Sequence, residues 1–461
     1  MQQNHKLSFF NSLTRSLEEF VPLKVNAVSL YTCGPTVYDS SHIGHARSCI
    51  VWDCLVRFMQ LLGYSVEWAR NITDIDDKII NRSRQMGILP EQLARAETFK
   101  FWQDMRDLNV QWPTFEPRAT ENLPQMFSFI QGLLDKDFAY KADNGDIYFN
   151  VFKFNNYGQL KKMAAQDEVL ARVEHLNCKQ HDCDFALWKA CQPDDCGFES
   201  PFGFGRPGWH LECSAMIKNH FGETIDIHGG GEDLLFPHHE NEIAQSEALH
   251  GKQFARYWLH NGMIMVDGKK MSKSEGNFIT IRESLQKFSG NTIRFFVLSA
   301  HYRQPLNYTE QALEAAQTGL ARLLKPLERH KLEQPIQTSE LDSESLHKFN
   351  EAMCQDLNTA NALALSFDLA KRINKGESSL EPTLRYLLKA LGFNLTENTH
   401  QSSNLPNQQP LINFLTELRQ KARDEKNFAL SDQIRACLES AGFTVMDLPG
   451  KTQVIPSNQT C

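Results

Sequence analysis

Two stretches of this chain repeat one order of elements, and that repetition constrains the fold more than any other feature of the sequence. In the first, VNAVSLYTCGP reads as a buried strand running into a Gly-Pro turn. From about His45, HARSCIVWDCLVRFMQLLGY sets Val51, Cys54, Leu55, Phe58, Leu61 and Leu62 at helical spacing. SVEWARNITDID then reads as a second strand with a polar end. In the second stretch, TIDIHGGGEDLLFPHHENEIAQSEALHG runs again from strand through glycine turn to helix. Strand, turn, helix, strand is the opening of a βαβ unit, in which ligands gather beyond the carboxyl ends of the strands and helix N-termini attract phosphate. The segment SSHIGHARSC, with His42 and His45 three residues apart, falls at that edge.

Between the two stretches the character changes. From about Pro113 to Gly205, helices mix with short alternating strands such as GDIYFNV and DFALWKA, as expected for an insertion. After MIMVDGKKMSKSEGN, a short apolar strand and a lysine-rich loop, the pattern from about Thr280 to Asn374 is mostly helical. TENTHQSSNLPNQQP has almost no large apolar residue and reads as a linker, followed by a small terminal module. At 461 residues the chain exceeds what one core usually holds, so several domains are expected. No stretch approaches a membrane span, and MQQNHKLSFFNSLTR lacks the apolar core of a signal peptide, which makes the cytoplasm the expected address. Eleven scattered cysteines then fit thiols or metal ligands better than a disulfide framework. The net charge of -8 argues against a generic nucleic-acid coat, although a local basic surface is compatible with it.

HIGH at a strand-to-helix edge and KMSKS after the second strand–helix element form a pair, because nucleotide chemistry needs both ends of a triphosphate held. His42 and His45 at a helix N-terminus can donate hydrogen bonds to phosphates, and Gly44 lets a nucleotide come close to the backbone. Lys270 and Lys273 are point charges suited to a leaving pyrophosphate.

Taken together, YTCGPTVYDSSHIGHARS, RNITDIDDKI, GRPGWHLECSAM, DIHGGGEDLLFPHHENEIAQ and KMSKSEGN resemble the cysteinyl-tRNA synthetases, of class I, over nearly the whole chain. The resemblance implies an α/β fold: a Rossmann-type nucleotide-binding catalytic domain split by an insertion, then a helical bundle and a small C-terminal anticodon-binding module. The expected boundaries are 1–112 and 206–265 for the two catalytic halves and 113–205 for the insertion. Residues 266–330 are expected to form the signature-loop and stem-contact region, 331–395 the bundle, 396–409 the linker and 410–461 the anticodon module. The implied activity is ATP-dependent activation of cysteine and its transfer to tRNA, releasing AMP and pyrophosphate. ATP (with Mg2+), cysteine and tRNA are the implied partners, and a monomer is the family default. Of the candidate catalytic residues, His42, His45, Lys270 and Lys273, the resemblance places Lys273 directly on ATP. Gly44, Gly229, Gly230, Gly231 and Asp233 fall in its nucleotide-binding motifs, and Cys33, Thr73, Trp209 and His228 match positions lining its cysteine pocket.

Choosing cysteine over serine is hard by shape alone, since a pocket discriminates such small changes by only about 1–3 kcal/mol. Zinc binds a soft thiolate and lowers the thiol's pKa, whereas a serine hydroxyl is a poor ligand. His238 and Glu242 lie four apart, on one helix face, and Cys33 and Cys213 are expected to reach the same point from neighbouring strand ends. The family pattern names these four as the ligands of one Zn2+. His239 and Glu240 are expected to support that site or face solvent. A rival cluster, Cys178, Cys183, Cys191 and Cys196 with His175 and His181, lacks the short C-x2-C pairs common in zinc knuckles.

Arg303, Arg419, Lys421, Arg423 and Lys426 are candidate contacts to tRNA phosphates. The chain departs from the family at Val454, where many members carry an aromatic residue, and after Thr359, where they usually carry proline. Two other activities share parts of this pattern. A cysteine-to-aminosugar ligase shares the activation motifs, and residues 410–461 argue against it; a zinc-dependent RNA-binding protein without catalysis is opposed by the intact His42, His45, Lys270 and Lys273.

Overall fold

The computed structural model describes residues 6–161, 178–192, 195–271, 276–327, 332, 334–396, 409–425, 427–440, 443–448 and 451–456. The chain forms two compact units, Met1–Glu397 and Asn398–Cys461.

At the heart of the first unit is a four-stranded parallel sheet in the order Ala255–Asn261, Ile225–Gly231, Ala27–Thr32, Ser65–Arg70. Ile225 to Gly230 are buried without interruption, the pattern of a parallel strand covered on both faces. The register pairs Tyr31 with His228 and Thr32 with Gly229, so the first strand of each repeated stretch ends at the same edge. Thr36 and Thr73 extend the pairing beyond that edge, with the Val37 N–H donating to the Thr73 carbonyl at 3.2 Å. There a Cβ on Gly34 would meet the Asn71 carbonyl at 1.7 Å, so only glycine lets the two backbones come this close.

The helix Ile43–Leu61 follows the first strand and buries Ile43, Ile50, Cys54, Leu55 and Phe58. Its one deeply buried cation, Arg47, donates to the carbonyls of Met263 at 2.8 Å and Tyr302 at 3.0 Å, and also to that of Gln304. Farther along, Asp53 pairs with fully buried Arg294 at 2.8 Å, which ties this helix to the helix Gly290–Leu298.

The span read as an insertion holds a helix, Leu123–Asp135, and an antiparallel sheet ordered Ala139–Lys141, Ile147–Phe149, Phe185–Ala190, Gly205–Pro207. Trp188, Leu187, Phe149 and Ile130 form its core. The last strand runs past Gly205 to Pro207, because Trp188 and Pro207 are still paired. Beyond the central sheet, Ile264–Val266 pairs antiparallel with Lys269–Lys270 and parallel with Leu306–Tyr308. Helices Ser343–Cys354, Thr359–Ile373 and Glu381–Ala390 follow. The second of these starts without the family's proline, since Asn358 caps it by accepting from the Asn361 N–H at 3.1 Å.

In the second unit, helices Gln409–Asp424 and Phe428–Ser440 are joined to a hairpin, Phe443–Leu448 with Lys451–Pro456, in which Val454 pairs with Val445. Two of the basic residues expected at phosphates are otherwise engaged. Arg419 is 1 % exposed, and Arg303 pairs with Asp356 at 2.7 Å while lying over the Phe10 ring. Lys421 is exposed, Arg423 is half-buried, and Lys426 lies outside the described residues.

Candidate metal centre and nucleotide edge

Cys33 is the first residue after the strand Ala27–Thr32, and its N–H still donates to the Gly229 carbonyl at 3.1 Å. His238 lies in a wide turn, Leu235–His239, and Glu242 follows in the helix Glu240–His250. Their four-residue spacing puts the His238 Nε2 and Glu242 Oε1 atoms 3.0 Å apart. Cys213 joins them from the helix Trp209–Phe221; it does not lie at a strand end as the sequence reading expected. Its Sγ lies 3.9 Å from the Cys33 Sγ and 3.8 Å from the His238 Nε2. The four ligand atoms all lie within 4.8 Å of one another.

This donor set fits zinc. Two thiols, an imidazole and a carboxylate are ligands that ion accepts, and tetrahedral bonds near 2.3 Å give sulfur–sulfur edges of about 3.8 Å. Three of the four donors are buried while Cys33 is only partly so, which leaves the approach on its side. The charges of the donors are only partly those a metal takes: Glu242 and Cys213 favour their anions, and Cys33 keeps its proton. Burial drives the Glu242 carboxyl upward, but His228 and His238 overcome it and hold the group down at about 2. Burial pushes the Cys33 thiol well up, whereas the Cys213 thiol, hydrogen-bonded to Cys33 and His238, is held below the ordinary range.

Neighbouring rings orient these ligands. The His238 Nδ1 faces the His210 Nδ1 at 3.0 Å, and burial keeps His210 neutral, so the Nε2 of His238 is left to face the cluster. Trp209, 37 % exposed, stacks on His238 with centroids 4.0 Å apart. The His228 Nε2 meets the Glu242 Oε2 at 2.9 Å. His239 is fully buried: its Nε2 is 3.3 Å from the Cys33 Sγ, and its Nδ1 is 2.8 Å from the His260 Nε2. With Cys33, His228 and Glu242 it makes a second group of metal-capable geometry, so a solvated face is ruled out for it. Glu240 is buried too, and accepts from the backbone N–H groups of Gly158, Gln159 and Leu160. Thr73 donates to Glu212 at 2.7 Å and accepts from Asn71 at 3.3 Å, while the Asn71 Oδ1 accepts from the Gly34 N–H at 2.8 Å. Sequence reading passed over Asn71, Glu212, His210 and His260. Asn71, His210 and Glu212 lie inside quoted motifs beside named residues, whereas His260 lies outside them and carries no signal.

At the same sheet edge, His42 caps the helix Ile43–Leu61, its Nδ1 accepting from the N–H groups of Gly44 at 3.1 Å and His45 at 3.3 Å. The His45 Nδ1 accepts from the His42 N–H at 3.3 Å, and the two rings stack 3.7 Å apart. An imidazole that accepts at Nδ1 carries its proton at Nε2 when neutral, so both rings are Nε2 donors. A Cβ on Gly44 would lie 2.9 Å from the His42 ring, and one on Gly230 2.7 Å from His239. Gly229 backs onto Trp52, and Asp233 is exposed in the turn after Gly231. Lys270 ends the strand paired with Met265, and Lys273 lies outside the described residues.

The rival cysteines take separate partners. The Cys178 Sγ lies 3.5 Å from the Tyr148 hydroxyl, Cys191 accepts from Arg206 at 3.0 Å, and Cys196 packs against the insertion core. Among the described residues they make no metal-capable group, and His175 lies outside those residues.

Comparison with known proteins shows the family. A family profile described as the class I (C) tRNA synthetase catalytic domain matches residues 19–318, and a DALR domain profile matches residues 348–397. The cysteine–tRNA ligase of Chromobacterium violaceum is 45% identical over 97% of this chain and 99% of its own. Those of Clostridioides difficile and Methanococcus maripaludis are 44% and 42% identical, each over 96% of this chain and 98% of theirs. Among solved structures, a Mycobacterium tuberculosis methionyl-tRNA synthetase in complex with methionyl-adenylate shares the fold. Its TM-score is 0.58 at 16% identity, covering 79% of this chain and 88% of that one.

Proposed function

The chain belongs to the cysteine–tRNA ligases of class I, ATP-dependent enzymes that join cysteine to tRNA, and from that premise we propose how its residues divide the work. The observation that carries the proposal is the convergence of Cys33, Cys213, His238 and Glu242 at the sheet edge that also bears the stacked His42 and His45.

Those four side chains would hold one Zn2+, and the ion, by expanding its coordination, would offer a further position to a cysteine thiolate but not to a serine hydroxyl. Thr73, Trp209 and His228 surround that position and orient the amino acid, so that its carboxylate points along the edge toward the signature helix. In the first step a carboxylate oxygen bonds to the α-phosphorus of ATP, and the bond from that phosphorus to the bridging oxygen of pyrophosphate breaks. No protein nucleophile is needed. Negative charge moves onto the phosphate oxygens, where the Nε2–H groups of His42 and His45 and the ammonium groups of Lys270 and Lys273 stabilise it. Gly44 and Gly229 to Gly231 admit the nucleotide to the backbone, with Asp233 at the adenosine end. Mg2+ accompanies ATP as part of the substrate. In the second step a terminal ribose hydroxyl of tRNA attacks the activated carbonyl, and AMP leaves.

The terminal unit is assigned to anticodon recognition, residues 113–205 to a connective insertion, and the enzyme to the cytoplasm as a monomer. Among the described residues no helix is long and apolar enough to cross a membrane. Cysteine-dependent pyrophosphate exchange followed by charging of purified tRNA tests the reading. Exchange without charging would favour a ligase with another acceptor, and no exchange would exclude activation altogether.

A further inference from the structure

Residues 277–282, which follow the lysine-rich segment in sequence, are stitched to the signature motif itself. The Ile43 N–H donates to the Ile279 carbonyl at 3.0 Å, and the Ile281 N–H donates to the Ser41 carbonyl at 2.9 Å. Thr280 bridges His42 in antiparallel fashion, and the Phe278 ring meets the His42 ring edge-on at 5.2 Å. Thr280 also caps the helix Ile281–Lys287, accepting from the Glu283 N–H at 3.1 Å and donating to its carboxylate at 2.7 Å. Two backbone hydrogen bonds and a ring contact set the direction of this stem, and beyond it Ile281 is fully buried and the Ser284 hydroxyl meets the Tyr308 hydroxyl at 3.0 Å.

Arg282 adds a side-chain tie from this stem to a separate helix. Its Nη2 donates to the Asp104 Oδ1 at 2.5 Å and its Nη1 to the Asp107 Oδ2 at 2.8 Å, both on the helix Pro90–Asp107. A planar guanidinium spanning two carboxylates on successive turns fixes orientation as well as distance, which a single ammonium does not. The Asp104 carboxylate is buried, while the Arg282 side chain is 46 % exposed and that of Asp107 28 %, so the tie is anchored at Asp104 and open to solvent on the guanidinium side. The receiving helix is itself held, since Gly290 lies so close to it that a Cβ there would meet the Asp107 carbonyl at 1.9 Å.

We propose that Arg282 is a positioning residue for adenylate formation, which through Asp104 and Asp107 locks residues 277–282 against the His42–His45 helix. The inference rests on the reading that Lys270 and Lys273 meet ATP. Arg282 touches neither substrate; it sets the register between the two halves of the phosphate site.

The test is pyrophosphate exchange with the full chain and the variants Arg282→Ala, Arg282→Lys and Lys270→Ala, together with zinc content and melting temperature. Arg282→Ala is expected to raise the KM for ATP or lower kcat by about tenfold, as misplacement of binding groups does. The KM for cysteine and the zinc content are expected to stay unchanged, because the thiol site lies on other elements. Arg282→Lys, which reaches one carboxylate at a time, is expected to recover part of the loss. Should the alanine variant fail to fold, the lysine variant carries the test, through an ATP-specific loss at unchanged cysteine KM. Wild-type kinetics in a folded Arg282 variant, or KM values for both substrates rising together, would overturn the inference. If Lys270→Ala also left exchange unchanged, the reading of the loop would fall with it; a slow Lys270→Ala beside normal Arg282 variants would remove only the role given to Arg282.

Discussion

His42 does two things with one ring, and the two can be separated by substitution. Its Nδ1 caps the helix that begins at Ile43, and its Nε2–H is assigned to phosphate. His42→Ala is therefore expected to cost about 1 kcal/mol of stability through the lost cap and to slow exchange by tenfold or more, about 1.4 kcal/mol of transition-state stabilisation. His42→Asn restores a side-chain acceptor at the N-cap but shortens the reach, so thermal stability should return while the rate stays low. Recovery of both in the asparagine variant would show that the histidine acts through the cap alone. Legibility at this scale is uneven for a physical reason. The pair His238 and Glu242 is readable from sequence because four residues along a helix return to one face. The burial of His239 is not, because spacing reports direction and says nothing of depth: the helix it leads into buries Glu240, Asn241, Glu242, Gln245 and Ser246, polar residues whose partners come from distant segments.

Among elements, the strand–turn–helix order is legible because a glycine turn follows the strand in each repeated stretch and the first helix returns its apolar residues at helical spacing, whereas the pairing of residues 279 and 281 with Ser41 and Ile43 leaves no mark in the sequence. Backbone hydrogen bonds between distant segments do not depend on side-chain type. The latch between helices does make a testable prediction about pH. Burial pushes the Asp104 carboxyl up from an ordinary value of 3.8 to about 6, against the pull of Arg282, with Asp107 and Glu97 adding to the rise. Between those values the unfolded chain loses its proton before the folded one does, so stability contributed at this position falls as pH rises through the window. Asp104→Asn removes the titration. The melting temperature of the asparagine variant minus that of the wild type should accordingly increase from about pH 4 to about pH 6 and level off above. A difference that is flat across that range would show that Asp104 does not titrate there.

For the whole molecule, the division into Met1–Glu397 and Asn398–Cys461 separates the metal and nucleotide edge from the terminal hairpin unit. Removing everything from Gln408 onward should leave exchange intact and reduce charging steeply, since the distant contacts that orient tRNA would be gone. Full charging by the truncated chain would contradict the role assigned to that unit. The central claim is that the donors on Cys33, Cys213, His238 and Glu242 select the substrate by its sulfur. The most direct measurement is kcat/KM for exchange with cysteine and with serine, alongside zinc per chain, in the wild type and in Cys213→Ser. One zinc per wild-type chain is expected, with discrimination beyond the roughly 200-fold that shape alone supplies. In Cys213→Ser, zinc affinity and that discrimination should fall together. A zinc-free preparation that activates cysteine at full rate and still rejects serine would contradict the account.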